Sequence, residues 1–381
     1  MARHQLRISI IMPCLNEEGT INACVAKARK ALLQIGCSGE VVVCDNGSTD
    51  NSAWLAKKAG ALVVLEPKKG YGSAYLTGIR ASKGDWLVIG DSDNTYNFLE
   101  APKFIGPLTR GNDLVIGSRF KGRMSKGSMP TLNRFLGTPV LNLFLRLFYG
   151  IKLTDSQSGM RALTKKAFRK MKLKTLGMEF ASEMLVRAAQ ENLRITEVPI
   201  SYRRRVTPTK LSRFRDAWRH LRFMLLFAPT YLFLVPGSIL MTVGLFFLLI
   251  LAPGPFWILG RVLDYHSMIF VSMLTLLGYQ IFMLGVYAKA YSWIEGLDKQ
   301  SLLIITTLHY FRLEKGILLG LAISLVGFLI GLVTFIGWAQ NGFGPLWAIR
   351  PAILAMTFFV LGIQIIFSAF FLSVLGIERK D

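Results

Sequence analysis

The sequence predicts a mostly parallel α/β domain followed by a membrane domain of four helices. Three observations carry that reading. Short Val/Ile-rich runs alternate with helix-like stretches through the first half of the 381-residue chain, the pattern of a parallel sheet buried on both faces. Charge then changes abruptly near residue 229. The residues before it hold 37 Lys/Arg against 17 Asp/Glu and those after it 8 against 6, so the first part supplies +20 of the formal +22. Finally, four later runs, roughly 230–252, 266–288, 316–338 and 351–376, are almost free of charge. Each reaches the about 20 apolar residues that cross a hydrocarbon core. One such run reads equally well as a buried helix of a soluble protein; four in succession do not.

In chain order, "RISIIMP" opens the sheet and leads into a helix over about 20–34, "EVVVCD" into 51–59, "ALVVLE" into 72–82 and "DWLVIGD" into 98–110, with "DLVIGSR" next. The N-terminal "MARHQLRISIIMPCLNEE" has neither an apolar core of signal-peptide length nor a cleavage site, so it reads as this first strand. Polar clusters fall at the carboxyl ends of the strands, where ligands bind in such sheets. They are Asn16-Glu17-Glu18, Asp45-Asn46-Gly47-Ser48, Asp91-Ser92-Asp93 and Gly117-Ser118-Arg119. One cluster would be an ordinary loop; four on one edge make a site.

Each motif has a plain reading beside a functional one. "CDNGSTDNS" at 44–52 is made of turn and cap formers; alternatively, Asp45 accepts hydrogen bonds from a base or ribose. "EPKKGYGSAY" at 66–75 is a glycine-punctuated basic loop before a helix. It can cradle a diphosphate but lacks the GxxxxGK[ST] spacing of a P-loop. Asp91 and Asp93 are either a polar loop after a buried strand or oxygen ligands for Mg²⁺ or Mn²⁺, hard cations that take carboxylates and substrate phosphates together. Cys14, Cys24, Cys37 and Cys44 form no CxxC pair, which argues against zinc and for free thiols in a reducing compartment.

Basic residues orient the spans. The 253–265 loop holds only Arg261 and the 339–350 loop only Arg350, whereas 289–315 carries Lys289, Lys299, Arg312 and Lys315 and the tail Arg379 and Lys380. With the basic first domain, this predicts an integral membrane protein with both termini cytoplasmic. Residues 133–149 are apolar but interrupted by Arg134, Pro139, Asn142 and Arg146. They read as an interfacial helix, the alternative being a core helix of the soluble domain. Within 212–226, Phe214, Trp218, Leu221 and Leu225 share one helical face and Arg215, Arg219 and Arg222 another, the pattern of a helix lying on an anionic membrane surface. Arg203-Arg204-Arg205 lead straight into it, so anionic lipid, not nucleic acid, is the expected partner. The domain boundaries are therefore 1–210, a juxtamembrane helix at 211–229 and a membrane domain at 230–381.

"SIIMPCLNEE", "VVVCDNGSTD", "KGYGSA", "GDWLVIGDSDNTY", "GSRFKG" and "TDSQSGMRAL" occur in this order, and the set resembles family-2 glycosyltransferases of the Rossmann-like α/β GT-A fold. The following "GMEFASEMLVRAAQENLRITEVPISYRRRVTPTKLSRFRDAWRHLRF" resembles the polyprenyl-phosphate sugar synthases, the dolichyl-phosphate mannose and glucose synthase group. The likeness covers about residues 7–228. It implies that Pro13, Leu15, Asn16, Glu17 and Asp45 line the base and ribose, and that Lys69, Gly70, Gly72, Asp91 and Ser92 lie along the nucleotide sugar. Asp91 and Asp93 would hold the metal. Where some members carry a further ligand two residues on, Thr95 stands here. Arg119, Arg134 and Thr138 would hold the acceptor phosphate, Asp155 and Gln157 would face the reacting centre with Arg119, and Arg205 and Lys210 would contact phosphates from a mobile loop.

The reaction implied is metal-dependent, inverting transfer of a hexose from a nucleotide sugar to a polyprenyl or dolichyl phosphate at the cytoplasmic face. The stretch from Gly177 onward is more like the glucose-type branch, which favours UDP-glucose over GDP-mannose. A processive polysaccharide synthase would carry a Gln-x-x-Arg-Trp string, and none occurs. A non-catalytic scaffold or lipid-sugar translocator is the remaining rival, and the spans contain no internal charge pair of a transport path. The spans would host the prenyl chain or assemble a homo-oligomer.

Overall fold

The computed structural model describes residues 7–205, 229–294, 313–344 and 348–375. Lys210 and the amphipathic stretch 212–226 lie outside the described residues. The chain divides into two compact units, Met1–Phe227 and Ala228–Asp381.

The first unit is built on a seven-stranded sheet. Strand β1 (Arg7–Cys14) pairs in parallel with β2 (Ser38–Asp45) on one side and β4 (Trp86–Ile89) on the other, and β3 (Leu62–Leu65) continues beyond β2. Strand β6 (Arg161–Thr164) runs antiparallel between β4 and β5 (Leu114–Met124), and β7 (Ile195–Tyr202) closes the far side parallel to β5. The order β3-β2-β1-β4-β6-β5-β7 contains the five expected strands. It also holds two, β6 and β7, that the Val/Ile pattern did not single out. The reason is visible in β6: it is four residues long and opens on Arg161, a charged residue that is 1% exposed.

Alternation along each strand fills both faces of the sheet. Ile8, Ile10, Val41, Val43, Val88 and Val115 join one buried cluster, where α1 (Ile21–Ile35) packs through Cys24, Val25, Ala28 and Leu32. Ile11, Val42, Leu87, Ile89, Leu114 and Ile116 face the other way onto α3 (Tyr71–Ala81) and α7 (Phe180–Gln190). Helix α1 stops at Gly36, whose φ of 71° is the left-handed cap and whose N–H reaches Leu32 O at 3.2 Å. Cys14, Cys24, Cys37 and Cys44 are free thiols.

The 133–149 segment has two faces. It comprises a π-turn at Asn133–Gly137 and helix α5 at Thr138–Tyr149. Leu141 and Leu145 are buried in the second cluster, while Leu132, Phe135, Leu136, Leu143 and Leu147 are all more than half exposed. The helix serves the core on one side and presents an apolar surface on the other.

Among the described residues, the second unit contains four helices long and apolar enough to cross a membrane: Thr230–Leu251, Tyr265–Tyr291, Leu313–Gln340 and Ile349–Leu375. A short hairpin, Phe256–Ile258 with Arg261–Leu263, joins the first two. Glycines let paired helices approach closely. A Cβ on Gly244 would stand 2.6 Å from Thr275 N, and one on Gly362 would stand 2.5 Å from Gly320 O. Hydroxyl pairs tie the second helix to the fourth, Ser272 with Thr357 at 2.6 Å and Tyr279 with Ser368 at 3.0 Å. Asp264 and Arg350 form an ion pair between the starts of the same two helices.

Candidate active site

A cavity of about 350 Å³ opens at the carboxyl ends of β1, β2 and β4, at the point where the strand order turns outward from β1 and a crevice forms. It collects Pro13 from the end of β1 and Leu15 and Glu17 from the loop after it, Lys69 and Gly70 from the loop after β3, and Asp91, Ser92 and Asp93 from the loop after β4. Arg205, three residues beyond β7, completes it. Residues remote in sequence therefore meet in one pocket.

The loop after β4 is pinned before it is functional. Ser92 Oγ donates to Pro13 O at 2.6 Å, and Thr20 Oγ1 donates to Ser92 O at 2.8 Å, so the β1 and β4 loops move as one. Asp91 Oδ1 accepts from the Tyr71 hydroxyl at 2.9 Å and the Tyr75 hydroxyl at 3.3 Å. Burial and then repulsion from Asp93 push the Asp91 carboxyl up to about 6, against the pull of those two hydroxyls. Asp93 is 7% exposed. Its Oδ1 accepts from Thr95 N at 3.0 Å and Thr95 Oγ1 at 2.6 Å, and its Oδ2 faces Arg205 Nε at 3.4 Å. Thr95 thus orients a carboxylate by hydrogen bonding.

Other predicted residues take supporting places. Asp45 lies outside the cavity lining and accepts from Ser48 N at 3.3 Å. Its neighbour Asn46 lines the pocket instead. Asn46 Nδ2 donates to Glu66 O at 2.9 Å and Lys68 O at 2.8 Å, and its Oδ1 accepts from Gly70 N at 2.8 Å. Asn16 Oδ1 accepts from Thr49 N at 2.7 Å, stitching the first two loops together. At Gly70 (φ 153°) a Cβ would stand 2.2 Å from Leu176 O, and at Gly72 it would stand 2.3 Å from Thr175 O. The glycines make room for the 175–177 chain, whose carbonyls accept from Gly72 and Ser73 N–H groups. That chain brings Gly177 and Met178 to the pocket wall.

The residues expected on the acceptor side lie outside the cavity lining. Asp155, fully buried, accepts from Arg119 Nε at 2.7 Å, Arg119 Nη2 at 2.8 Å and Arg119 N at 2.9 Å. Burial alone would lower the Arg119 guanidinium, but Tyr96 and Asp155 outweigh it and hold Arg119 charged. Its guanidinium also stacks over Tyr202, 5.0 Å from the ring centroid. Gln157 Nε2 donates to Ser156 Oγ at 3.2 Å. Arg134 is exposed beside Phe135, and Thr138 is buried at the start of α5. None of these five lines the cavity.

Sequence reasoning named Asn46 only as a member of the Asp45–Ser48 cluster and missed Tyr71, Tyr75 and Arg161. The tyrosines stand four apart in "KGYGSAY", a helical spacing that places both on one face. Arg161 donates to Ser158 O at 2.9 Å, Ser156 O at 2.9 Å and Ala181 O at 2.7 Å. It locks the loop that carries Asp155 and Gln157 against the start of α7. Nothing in a single sequence separates such an arginine from a surface one.

The donor set suits a hard divalent cation. Asp91 and Asp93 supply carboxylate oxygens to the same pocket wall, and among the described residues no cluster of three or more His, Cys, Asp or Glu ligands occurs. Two carboxylates leave coordination positions for substrate phosphate and water, as Mg²⁺ prefers.

The profile described as glycosyl transferase family 2 matches residues 9–176, and that described as the glycosyltransferase family 2 C-terminal transmembrane region matches residues 286–376. The chain is 38% identical over 371 residues to the low-salt glycan biosynthesis hexosyltransferase Agl6 of Haloferax volcanii, spanning 97% of this chain and 89% of that one. It is 32% identical over 209 residues to a dolichyl-phosphate hexose transferase of the same organism, spanning 54% of this chain and 87% of that one. Among solved structures, glucosyl-3-phosphoglycerate synthase from Mycobacterium tuberculosis in complex with phosphoglyceric acid aligns with a TM-score of 0.48 at 25% identity, over 58% of this chain and 79% of that one.

Proposed function

The chain belongs to glycosyltransferase family 2, and from that premise we propose that it moves a hexose from a nucleoside diphosphate sugar to a polyprenyl phosphate at the cytoplasmic membrane surface. The observation that carries the reading is the meeting of Asp91, Asp93, Lys69 and Arg205 in one pocket. Paired carboxylates beside two cations suit a sugar diphosphate and the metal that accompanies it. Two facts support a lipid acceptor: the exposed apolar face of the 133–149 segment and the four long apolar helices. The name of the 32%-identical relative, a dolichyl-phosphate hexose transferase, points the same way.

In this mechanism an acceptor phosphate oxygen attacks the anomeric carbon as the bond to the diphosphate oxygen breaks, and the electron pair leaves with the diphosphate. A divalent cation held by Asp91 and Asp93 would supply charge neutralisation to that leaving group. Lys69 and Arg205 contribute positive charge on the same side. Tyr71 and Tyr75 keep Asp91 oriented, Thr95 does the same for Asp93, and Ser92 fixes the loop between them. The acceptor is already anionic at neutral pH and needs placement more than deprotonation. Accordingly Asp155, with both oxygens engaged by Arg119, serves to hold that guanidinium and not to take a proton. Displacement from the far side inverts the anomeric centre, giving a β-linked product from an α-linked donor.

UDP-glucose is the preferred donor, on the likeness of the stretch from Gly177 onward to the glucose-type branch. The test is to incubate the full chain with Mn²⁺ or Mg²⁺, a polyprenyl phosphate and UDP-glucose, GDP-mannose or UDP-GlcNAc in turn. Lipid-linked hexose is expected from UDP-glucose in wild type and a loss of at least about 100-fold in Asp93→Ala. No lipid product from any donor would refute the reading. Full activity in Asp93→Ala would refute the metal assignment alone.

A further inference from the structure

Arg205 makes two contacts that the proposed chemistry does not use. Its Nη2 donates to Glu17 Oε1 at 2.8 Å, and its Nε lies 3.4 Å from Asp93 Oδ2. Asp93 Oδ1 is already engaged by the amide and hydroxyl of Thr95, so Oδ2 is the oxygen left to ligate a cation. The guanidinium therefore sits on the very atom that a metal ion would take. Both sides of this contact are fixed. The Glu17 backbone is held by its N–H donating to Ser52 Oγ at 2.8 Å. Arg205 follows a backbone tied to the Asp93 loop by the Tyr96–Tyr202 bridge and by Arg203 N donating to Thr95 O at 2.9 Å.

We propose that Arg205 competes with the divalent cation for Asp93, and that the donor's diphosphate relieves this competition, so that cation and nucleotide bind as a coupled pair. The inference rests on the metal and nucleotide-sugar reading above and specifies how that site is filled. A cation arriving alone must break the Arg205–Asp93 contact and then share the pocket with a positive guanidinium well inside the screening length. A diphosphate offers Arg205 a better partner, because an arginine fork meets phosphate oxygens with charge-assisted hydrogen bonds. Moving Arg205 from Asp93 to phosphate frees Oδ2 for the metal, and the metal in turn neutralises the diphosphate. Such coupling is reciprocal: the factor by which nucleotide tightens the metal equals the factor by which metal tightens the nucleotide. One consequence is that Asp93 remains charge-compensated whether or not donor is bound.

The test measures Mn²⁺ binding to the full chain in lipid nanodiscs by the loss of the free-ion electron paramagnetic resonance signal, with and without UDP or GDP. Wild type is expected to bind Mn²⁺ weakly alone and at least about tenfold more tightly with the matching nucleotide, within the usual range of coupling. In Arg205→Gln, Mn²⁺ alone should bind about fivefold more tightly than in wild type, while the tightening by nucleotide falls by a similar factor, the remainder coming from direct ligation of the ion by the diphosphate. Arg205→Lys keeps the charge but not the fork that spans Glu17 and Asp93, and should fall between the two. The side chain is 25% exposed, and matched thermal unfolding curves establish that the variants fold. A simple field effect of the lost charge would tighten Mn²⁺ equally with and without nucleotide, leaving the coupling intact, and that result overturns the proposal. So does unchanged or weaker Mn²⁺ binding by Arg205→Gln alone, while nucleotide-dependent Mn²⁺ binding by wild type would still uphold the metal site. If wild type binds no Mn²⁺ with either nucleotide, the metal reading fails and takes this proposal with it.

Discussion

Asp91 and Asp93 are separated by one residue, yet their surroundings give them different work. Asp91 is held by two tyrosine hydroxyls and pushed up to about 6 by burial and by its neighbour. Asp93 is oriented by Thr95 and faces Arg205. The tyrosine hydroxyls favour the charged form of Asp91, so removing them must raise its proton affinity further. A carboxyl whose folded value lies above the ordinary one loses its charge as pH falls through the raised value. The acid limb of kcat/KM in Tyr71→Phe/Tyr75→Phe should therefore move to higher pH, by roughly half a unit or more. A pH–rate profile of the double variant checks this, and an unmoved limb would mean that the tyrosines only fill space. The sequence displayed the two acids plainly. It did not display the tyrosines' role, because a tyrosine on a helix face reads as core until its hydroxyl is seen to reach a carboxylate.

Among the elements, β6 and α5 show how far local pattern reaches. The five Val/Ile runs announced themselves because a strand buried on both faces needs apolar side chains on both. Strand β6 hides from that rule, since Arg161 at its start is fully buried and satisfied by three backbone carbonyls. Replacing it with Met would leave those carbonyls buried and unpaired, at about 1–3 kcal/mol for each that finds no water. Arg161→Met should lower the thermal midpoint and reduce turnover by loosening the loop that carries Asp155 and Gln157. Denaturation curves and single-turnover rates measured together test both parts. Helix α5 presents a different lesson. Its sequence read as either an interfacial helix or a core helix, and the structure buries one face in the core while the other exposes apolar side chains. Leu143→Ser/Leu147→Ser alters only exposed side chains, so surface expectations apply and stability should change by less than about 1 kcal/mol. If that face docks on lipid, the KM for polyprenyl phosphate rises several-fold while nucleotide affinity stays constant. Kinetics with the acceptor in liposomes distinguish the two parameters.

On the scale of the whole chain, composition alone separated two solvents. The division near residue 229 falls within a few residues of the boundary between the two compact units, and the four apolar runs coincide with four long helices. This much was legible because hydropathy is a property of composition, independent of contacts. The sheet order was not legible, because placing β6 between β4 and β5 depends on pairings that no local pattern encodes. The site was legible as a set of clusters on one edge, and three of the four supply residues to the cavity. What stayed hidden was which atom in each loop faces inward: Asn46 lines the cavity where its neighbour Asp45 does not, and Gly70 of "KGYGSA" both lines it and makes room for the 175–177 chain. The central claim is that a hexose passes to a lipid phosphate. The most direct measurement is the mass and anomeric configuration of the lipid product made by the full chain in liposomes, with polyprenyl phosphate and polyprenyl alcohol offered in parallel. The account predicts one hexose on the phosphate in β-linkage and nothing on the alcohol. A hexosylated alcohol, an α-linked product or a lengthening sugar chain would contradict it.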